Sequence, residues 1–363
     1  MNAIQQAPTD LGARQLAIEY GSLLTDGITG LATNLKDFQN ELKKEAQLVT
    51  QALNTNLDGL LDIQKKLISA GGSGSASNAL LDQRDLLINE LSSLVGISVD
   101  YKERGSVQIS LGPNLGKEKL LDLFDVNKLS VDPASDRLKY ALQTGSQLNA
   151  TNQVTNGYLS GLSNAYSMAE DLRSNLNFFT EKLVKDFNNL HTDGITLDGQ
   201  RGQEIFAVQK YSVVAEPNNV SSLTASLRGA NVEKVYELTY HATANTFVDK
   251  DNQFSGQLIN NVLSLNGAEL ILEGRPADGD VLRIEKSTDI ASSLKFLIER
   301  PEAIAAATAF SVNKHLDNLG TSEVKVTKFE ADPPLTIPKI EDFFKNDLNV
   351  LEASRFRTDL QVM

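Results

Sequence analysis

The sequence predicts an α+β protein, elongated and multidomain. A long-helix, coiled-coil-like bundle carries an inserted β-hairpin unit and is followed by an antiparallel β-domain. Three observations predict it. Apolar residues between Ile28 and Leu67 recur in steps of three and four, the seam of packed helices. Between Ile97 and Leu111 they alternate at period two around a polar turn. At TDGITLDGQRGQEIF (192–206) the helical period gives way to turn residues and short alternating runs.

The first helix is expected over 11–69. Its seam runs Ile28, Leu31, Leu35, Phe38, Leu42, Ala46, Val49, Leu53, Leu57, Leu60 and Leu67, interrupted near its end by Gln64. Extra four-residue steps make any supercoil locally irregular. Gly21, Gly27 and Gly30 predict a break in its first part. From 28 to 69 a straight helix is roughly 60 Å long, more than the diameter of a compact domain of this size. GGSGSAS (71–77) reads as a flexible reversal, so the next helix, over 78–95, returns antiparallel. That helix carries Leu80, Leu87, Leu91 and Leu94 on one ridge, with Leu81, Ile88 and Val95 beside it. Ser77 or Asn78 is placed to cap its start, and Gly96 to form a left-handed C-terminal cap.

Ile97/Val99/Tyr101 and Val107/Ile109/Leu111 form a predicted hairpin across KERGS, and Leu138/Tyr140/Leu142 can add a strand. Residues 143–156 read as a polar loop. A third long helix covers 157–191, with the seam Leu159, Leu162, Tyr166, Ala169, Leu172, Leu176, Phe179, Leu183, Phe187 and Leu190. Residues 200–300 read as antiparallel β, with alternation at 235–240 and 263–266 and strands flanking GRPADGD (274–280). A short helix is expected at 289–299, a strand at 323–331, and a helix or packed segment at 340–353. The expected domains are 1–96 (bundle, first part), 97–155 (small β-unit), 156–195 (bundle, second part), 196–300 (antiparallel β-domain) and 301–363 (a variable outer region).

Composition narrows the function. The 363 residues carry a formal charge of −13 and no basic stripe, which argues against a nucleic-acid partner. With no cysteine there are no disulfides, thiolate metal sites or Cys nucleophiles. No apolar run is long enough to span a bilayer, and MNAIQQAPTDLG has no Sec-type signal pattern. Catalytic and metal motifs are missing. His191, His241 and His315 are far apart, and His191 reads as a helix-end residue. There is no His-Glu-x-x-His. Asp278 and Asp280 are explained by turn chemistry. DKDNQ (249–253) lacks the glycine and glutamate that complete a calcium loop. GGSGSAS lacks the Lys-Ser/Thr of a phosphate loop.

The stretch LLDQRDLLINELSSLVGISV (80–99) resembles the flagellar hook-associated protein 1 family. The resemblance continues through FNNLHTDGITLDGQRGQEIF (187–206) and LSLNGAELILEGRPADGDVLRIEK (263–286). It implies a structural, non-enzymatic component of the bacterial flagellum, joining hook to filament in a ring of about eleven copies. Implied partners are the hook protein, a second junction protein and a flagellar export chaperone. Implied localisation is extracellular, after type III export. No cofactor or metal is implied, and the isolated chain is expected to be monomeric. Family members begin with an apolar helix carrying an Asn-rich motif before Gly-Tyr, and end with a helical Val-Asn-x-x-Glu-Glu segment. Neither is present, so the chain reads as a trimmed core.

Candidate structural or interaction residues are Leu80, Leu81, Asp82, Gln83, Arg84, Asp85, Leu87, Leu91, Leu94 and Gly96. Asp82 and Asp85 would favour a helix N-terminus. Arg84 has two readings, pairing within the chain or contact with the next subunit. An exposed apolar stripe left over would mark a docking face. The alternative function is a surface-exposed binding or adhesion module on a helical stalk, which would gather exposed aromatics from among Tyr211, Tyr236, Tyr240 and Phe247. A hydrolase in the β-domain lacks a nucleophile–base pair.

Overall fold

The computed structural model describes residues 4, 7–70, 75–114, 117–132, 137–144, 147–229, 232, 235–308, 310–313 and 325–328. Three long helices are present: α1 (Leu11–Ser69), α2 (Ser75–Leu94) and α3 (Gly157–Thr192). Residues 34–173 form one compact unit; residues 1–33 and 174–363 form the other. Both α1 and α3 contribute to both.

In the 34–173 unit, α1 presents Leu42, Ala46, Val49, Leu53, Leu57 and Leu60 to a continuous core. The expected antiparallel return is observed. Asn56 Nδ2 of α1 donates to Glu90 Oε2 of α2 at 3.2 Å, and Leu87 Cδ1 sits 3.4 Å from where a Cβ on Gly59 would be. Strands β1 (Ile97–Tyr101) and β2 (Val107–Leu111) pair as predicted, Ile97 opposite Leu111 and Tyr101 opposite Val107. The sheet continues through β3 (Lys119–Asp122) and β4 (Asp125–Val126). A second sheet has the order β5 (Leu129–Val131), β6 (Tyr140–Gln143), β7 (Gln147–Asn149). Val107, Ile109, Leu111, Tyr140 and Leu142 close the core with Leu159, Leu162 and Tyr166 of α3.

The other unit packs Ile28 and Ala32 of α1 on Leu183 and Val184 of α3. Strand β8 (Gly194–Thr196) pairs with β19 (Ala305–Thr308), and β9 (Phe206–Ala207) with β18 (Lys295–Phe296). Phe206 meets Phe187 and Phe296 edge-on, with ring centroids 5.7 and 5.4 Å away. The β-domain is one eight-stranded antiparallel sheet. Its strands are β10 (Tyr211–Ala215), β11 (Thr224–Arg228), β12 (Tyr236–His241), β13 (Thr246–Asp249), β14 (Ser255–Ile259), β15 (Val262–Leu265), β16 (Ala268–Glu273) and β17 (Val281–Lys286). They follow the order β10-β17-β12-β13-β14-β15-β16-β11. The two edge strands approach each other, with Gln209 Nε2 donating to Leu227 O at 3.2 Å. Alternate residues such as Tyr236, Leu238, Phe247, Leu263, Leu270, Leu282 and Ile284 fill the interior. β20 (Phe310–Asn313) pairs with β21 (Lys325–Lys328), inside the expected 323–331 strand. The 340–353 segment lies outside the described residues.

Several local expectations are corrected. Helix α1 is unbroken through its glycines, because packing of Ile28 and Ala32 outweighs a propensity cost of about 1 kcal/mol per glycine. At Gly21 the ring of Phe296 occupies the place a Cβ would take. Helix α2 starts at Ser75, so Ser77 and Asn78 lie inside it and do not cap it. Gly96 is absent from the left-handed residues. Its role is close approach: a Cβ there would lie 3.0 Å from Asn156 Cβ, and its N–H donates to Asn156 O at 2.9 Å. Residues 143–156 contain β7 and a 3-10 turn, Thr151–Gln153. Residues 289–299 form a 3-10 turn and β18 where a helix was expected. In the seams, Leu31, Phe38, Leu172, Phe179 and Leu190 are exposed. Ala32, Gln39, Thr180 and His191, one residue along from Leu31, Phe38, Phe179 and Leu190, are buried. Adjacent apolar ridges leave the inward face undecided by periodicity alone.

Candidate functional site

The LLDQRD block is organised by Arg84, which α2 places against the tip of the β1–β2 hairpin. Its Nε and Nη2 reach Asp85 Oδ1 at 2.8 and 2.7 Å. Nη1 donates to Gly105 O at 2.9 Å, and the guanidinium lies 5.1 Å from the ring centroid of Tyr101. Arg104 and Gly105 are both left-handed, at φ 57° and 77°, which turns the Gly105 carbonyl towards α2. Leu81 closes over the same turn, its Cδ2 2.8 Å from where a Gly105 Cβ would stand. Arg84 thus bonds within its own chain, to its own helix and to the hairpin.

Leu91 is buried; Leu80, Leu81, Leu87, Leu94 and Gly96 are half-buried. Asp82, Gln83 and Asp85 face solvent. Because α2 begins at Ser75, Asp82 and Asp85 lie beyond its first turn, outside the reach of the dipole expected to favour them. Beside the hairpin, an open cleft of about 450 Å³ is lined by Ile68, Lys102, Arg104, Val107, Leu123 and Phe124 among others. Glu103, Ser106 and Asp122 also line it, and the Ser106 hydroxyl donates to Glu103 O of its own turn at 2.9 Å.

A second polar centre was not foreseen. His191, at the end of α3, is buried. Its Nδ1 lies 2.5 Å from Gln203 O, and its Nε2 accepts from Ala305 N at 2.7 Å. These partners fix the neutral Nδ1–H tautomer. Burial lowers its pKa; the Gln203 contact opposes this, and the charge of Arg14 lowers it further. Arg14, fully buried at the start of α1, donates through Nε to Pro8 O at 2.6 Å and through Nη1 to Pro301 O and Ile304 O at 3.2 and 2.6 Å. Burial pulls its pKa to about 10, against the attraction of Glu302 and Asp198, so it stays charged at neutral pH. The pair binds carbonyls and an amide of its own backbone, a structural use of both side chains.

The turn carboxylates are also structural. Asp280 is buried and accepts from Val220 N and Ala277 N, each at 2.8 Å, and from the Ser221 hydroxyl. Asp278 Oδ1 accepts from Ala242 N at 2.8 Å. Asp249, in the 249–253 segment, is buried and accepts from Glu237 N at 3.1 Å. Among the described residues no group of three His, Asp or Glu side chains is placed to hold a metal, and no helix is long and apolar enough to cross a membrane. Tyr236, Tyr240 and Phe247 are buried in the β-domain interior, so they form no exposed aromatic groove.

The first 206 residues match the family model described as the flagellar hook-associated protein FlgK helical domain. Flagellar hook-associated protein 1 of Escherichia coli K12 is 23% identical over 305 residues, covering 77% of this chain and 55% of the relative. Its counterpart in Bacillus subtilis is 24% identical over 291 residues, covering 71% and 55%. The chain therefore spans about half the length of the curated relatives it matches. Among solved structures, the flagellar hook junction protein FlgK from Burkholderia pseudomallei shares the fold at TM-score 0.61, covering 88% of this chain and 60% of that one, at 21% identity.

Proposed function

Since the chain belongs to the FlgK family of flagellar hook-associated proteins, and is thereby a structural component of the flagellum, we propose that it joins hook to filament as one subunit of a closed ring. The observation that carries this reading is the distribution of its apolar surface. The helical part matched by the family keeps large side chains exposed on long helices: Leu16, Tyr20, Leu23 and Leu31 on α1, and Met168, Leu172 and Phe178 on α3. Such faces are suited to neighbours. The Arg14–His191 centre and the turn carboxylates, by contrast, bond to their own backbone.

The proposed partners are copies of the chain, the hook protein, a second junction protein and an export chaperone. Export is proposed to proceed through the flagellar apparatus. Solvent-facing Asp82 and Gln83 beside the Arg84 anchor are proposed contact residues.

The test is a chimera in which this chain replaces the matched 305-residue stretch of the Escherichia coli relative, expressed in a strain lacking that protein. Filament formation and swimming are the expected outcome. Normal expression and export without filaments would remove the junction reading.

A further inference from the structure

The outward face of α1 carries a feature that the described residues of the chain leave exposed. Leu16, Tyr20, Leu23, Gly27 and Leu31 follow one another in steps of four, three, four and four, so they share one side of the helix. The four large residues are 44%, 61%, 63% and 49% exposed. The helix packs inward through Arg14, Thr25, Ile28 and Ala32, which lie on the other side. Gly27 and Gly30 interrupt this outward stripe, and a Cβ at either position would meet nothing within 4 Å. Glycine is a poor helix former, and at these two positions no contact within the described chain requires it. The result is a shallow notch in an apolar stripe. One rim is acidic: Glu19 and Asp26, seven residues apart, are both exposed.

The complement lies on α3 of the same unit. Phe178 is 72% exposed, and the exposed Lys182 and Lys185 follow it in steps of four and three. An aromatic knob is thus followed by two cations on one helix face. None of Glu19, Asp26, Lys182 and Lys185 has an ion-pair partner among the described residues.

We infer that Phe178 of one copy of this chain docks in the α1 notch at Gly27 of the next, with Lys182 and Lys185 facing Glu19 and Asp26. The occupant is a second copy because the same chain carries both the acidic, notched stripe and the basic, aromatic knob. The contact joins two different surfaces, so each copy keeps one of each free and the contact propagates from copy to copy. This rests on the assembly reading above and names its contact.

The test uses the absence of native cysteines. Lys182 and Lys185 follow Phe178 whereas Glu19 and Asp26 precede Gly27, so the paired helices run antiparallel and Leu31 falls opposite Asn175, within disulfide reach beside the docked ring. The double variant Leu31→Cys, Asn175→Cys, which keeps Phe178, is oxidised at high protein concentration and resolved without reductant. Both positions are exposed, so folding is retained, and circular dichroism checks it. A ladder of dimers, trimers and longer species is expected. Its yield should exceed several-fold that of Leu31→Cys, Val220→Cys, which measures random collision at an 84% exposed position. Adding Lys182→Glu and Lys185→Glu should cut the yield several-fold. Mixing single-cysteine variants, Asn175→Cys with both lysines reversed and Leu31→Cys with Glu19→Lys and Asp26→Lys, should restore it. A yield no better than the Val220 control overturns the contact, as does indifference to charge reversal or linkage mainly between like positions. A swimming chimera with failed trapping sinks the contact and leaves the junction reading standing. A non-swimming chimera with successful trapping does the reverse.

Discussion

His191 and Asp280 are both buried and both held by backbone groups, but they need opposite charge states. His191 must be neutral, because its Nε2 accepts the Ala305 N–H. Asp280 must be charged. Burial alone would raise its pKa, yet the Ser221 hydroxyl and the amides of Ala277, Val220 and Ser221 together outweigh that and lower it below 3.8. Acid removes both contributions in separate windows. In the unfolded chain His191 takes up its proton near pH 6.5, while in the folded chain it does so only at lower pH. Stability is therefore whole above about pH 6.5 and falls as the pH drops through the folded pKa. Asp280 obeys the same sign one window lower, its contribution lost as the pH falls from 3.8 through its folded pKa. His191→Gln keeps one donor and one acceptor but does not titrate. Urea unfolding between pH 7 and 5 should show a decline in the wild type that is much reduced in this variant. An equal decline in both would mean that His191 does not couple protons to folding.

At the scale of elements, the helices hold the strands through amide side chains as well as apolar seams. Asn54 of α1 pairs with both the N–H and the C=O of Leu129, at 3.0 and 2.8 Å, as a neighbouring strand would. Asn188 of α3 accepts from Ile205 N and Phe206 N and donates to Phe206 O. Gln64 is buried, accepting from Val107 N at 2.8 Å and donating to Leu123 O at 2.5 Å. It also shows what the sequence could and could not reveal. The helix, its seam and the polar interruption were legible from spacing. The purpose of the interruption was not, because β2 and the loop at Leu123 reach Gln64 only in the folded chain. The same holds for Gly96, whose close approach to Asn156 was read as a left-handed cap, and for the Arg14–His191 centre, whose members are 177 residues apart in the numbering. The two hairpin strands and α3 were legible because local periodicity decides them. The LLDQRD block was visible as a motif, whereas the hairpin that occupies Arg84 was not. Gln64→Met makes the test sharp. Judged by the seam alone it completes an apolar ridge and stabilises. Judged by its partners it strands a buried N–H and a carbonyl and costs about 2–4 kcal/mol. A lower urea midpoint with faster amide exchange at Val107 is expected, and an unchanged or raised midpoint would show that water or rearrangement replaces both bonds.

For the whole molecule, charge decides how copies meet. Each carries −13, and two such bodies roughly 50 Å apart repel by roughly 14 kcal/mol in unscreened water. A Debye length of about 30 Å at 0.01 M salt leaves a few kcal/mol of that, and about 8 Å at 0.15 M removes nearly all of it. The exposed pairs proposed between α1 and α3 supply only about 0.2–1 kcal/mol each. Net repulsion therefore outweighs local attraction at low salt, and the apolar contact of Phe178 can act only once that repulsion is screened. Trapping through Leu31→Cys and Asn175→Cys should accordingly increase as salt rises from about 0.01 to about 0.15 M, although salt weakens the ion pairs themselves. Reversing Lys182 and Lys185 takes the charge from −13 to −17, two residues changing by two each, and should make the rise steeper. Reversing Glu19 and Asp26 takes it to −9 and should flatten it. A yield that falls steadily with salt would mean that local pairs dominate the encounter, and that the apolar notch does not hold the copies together.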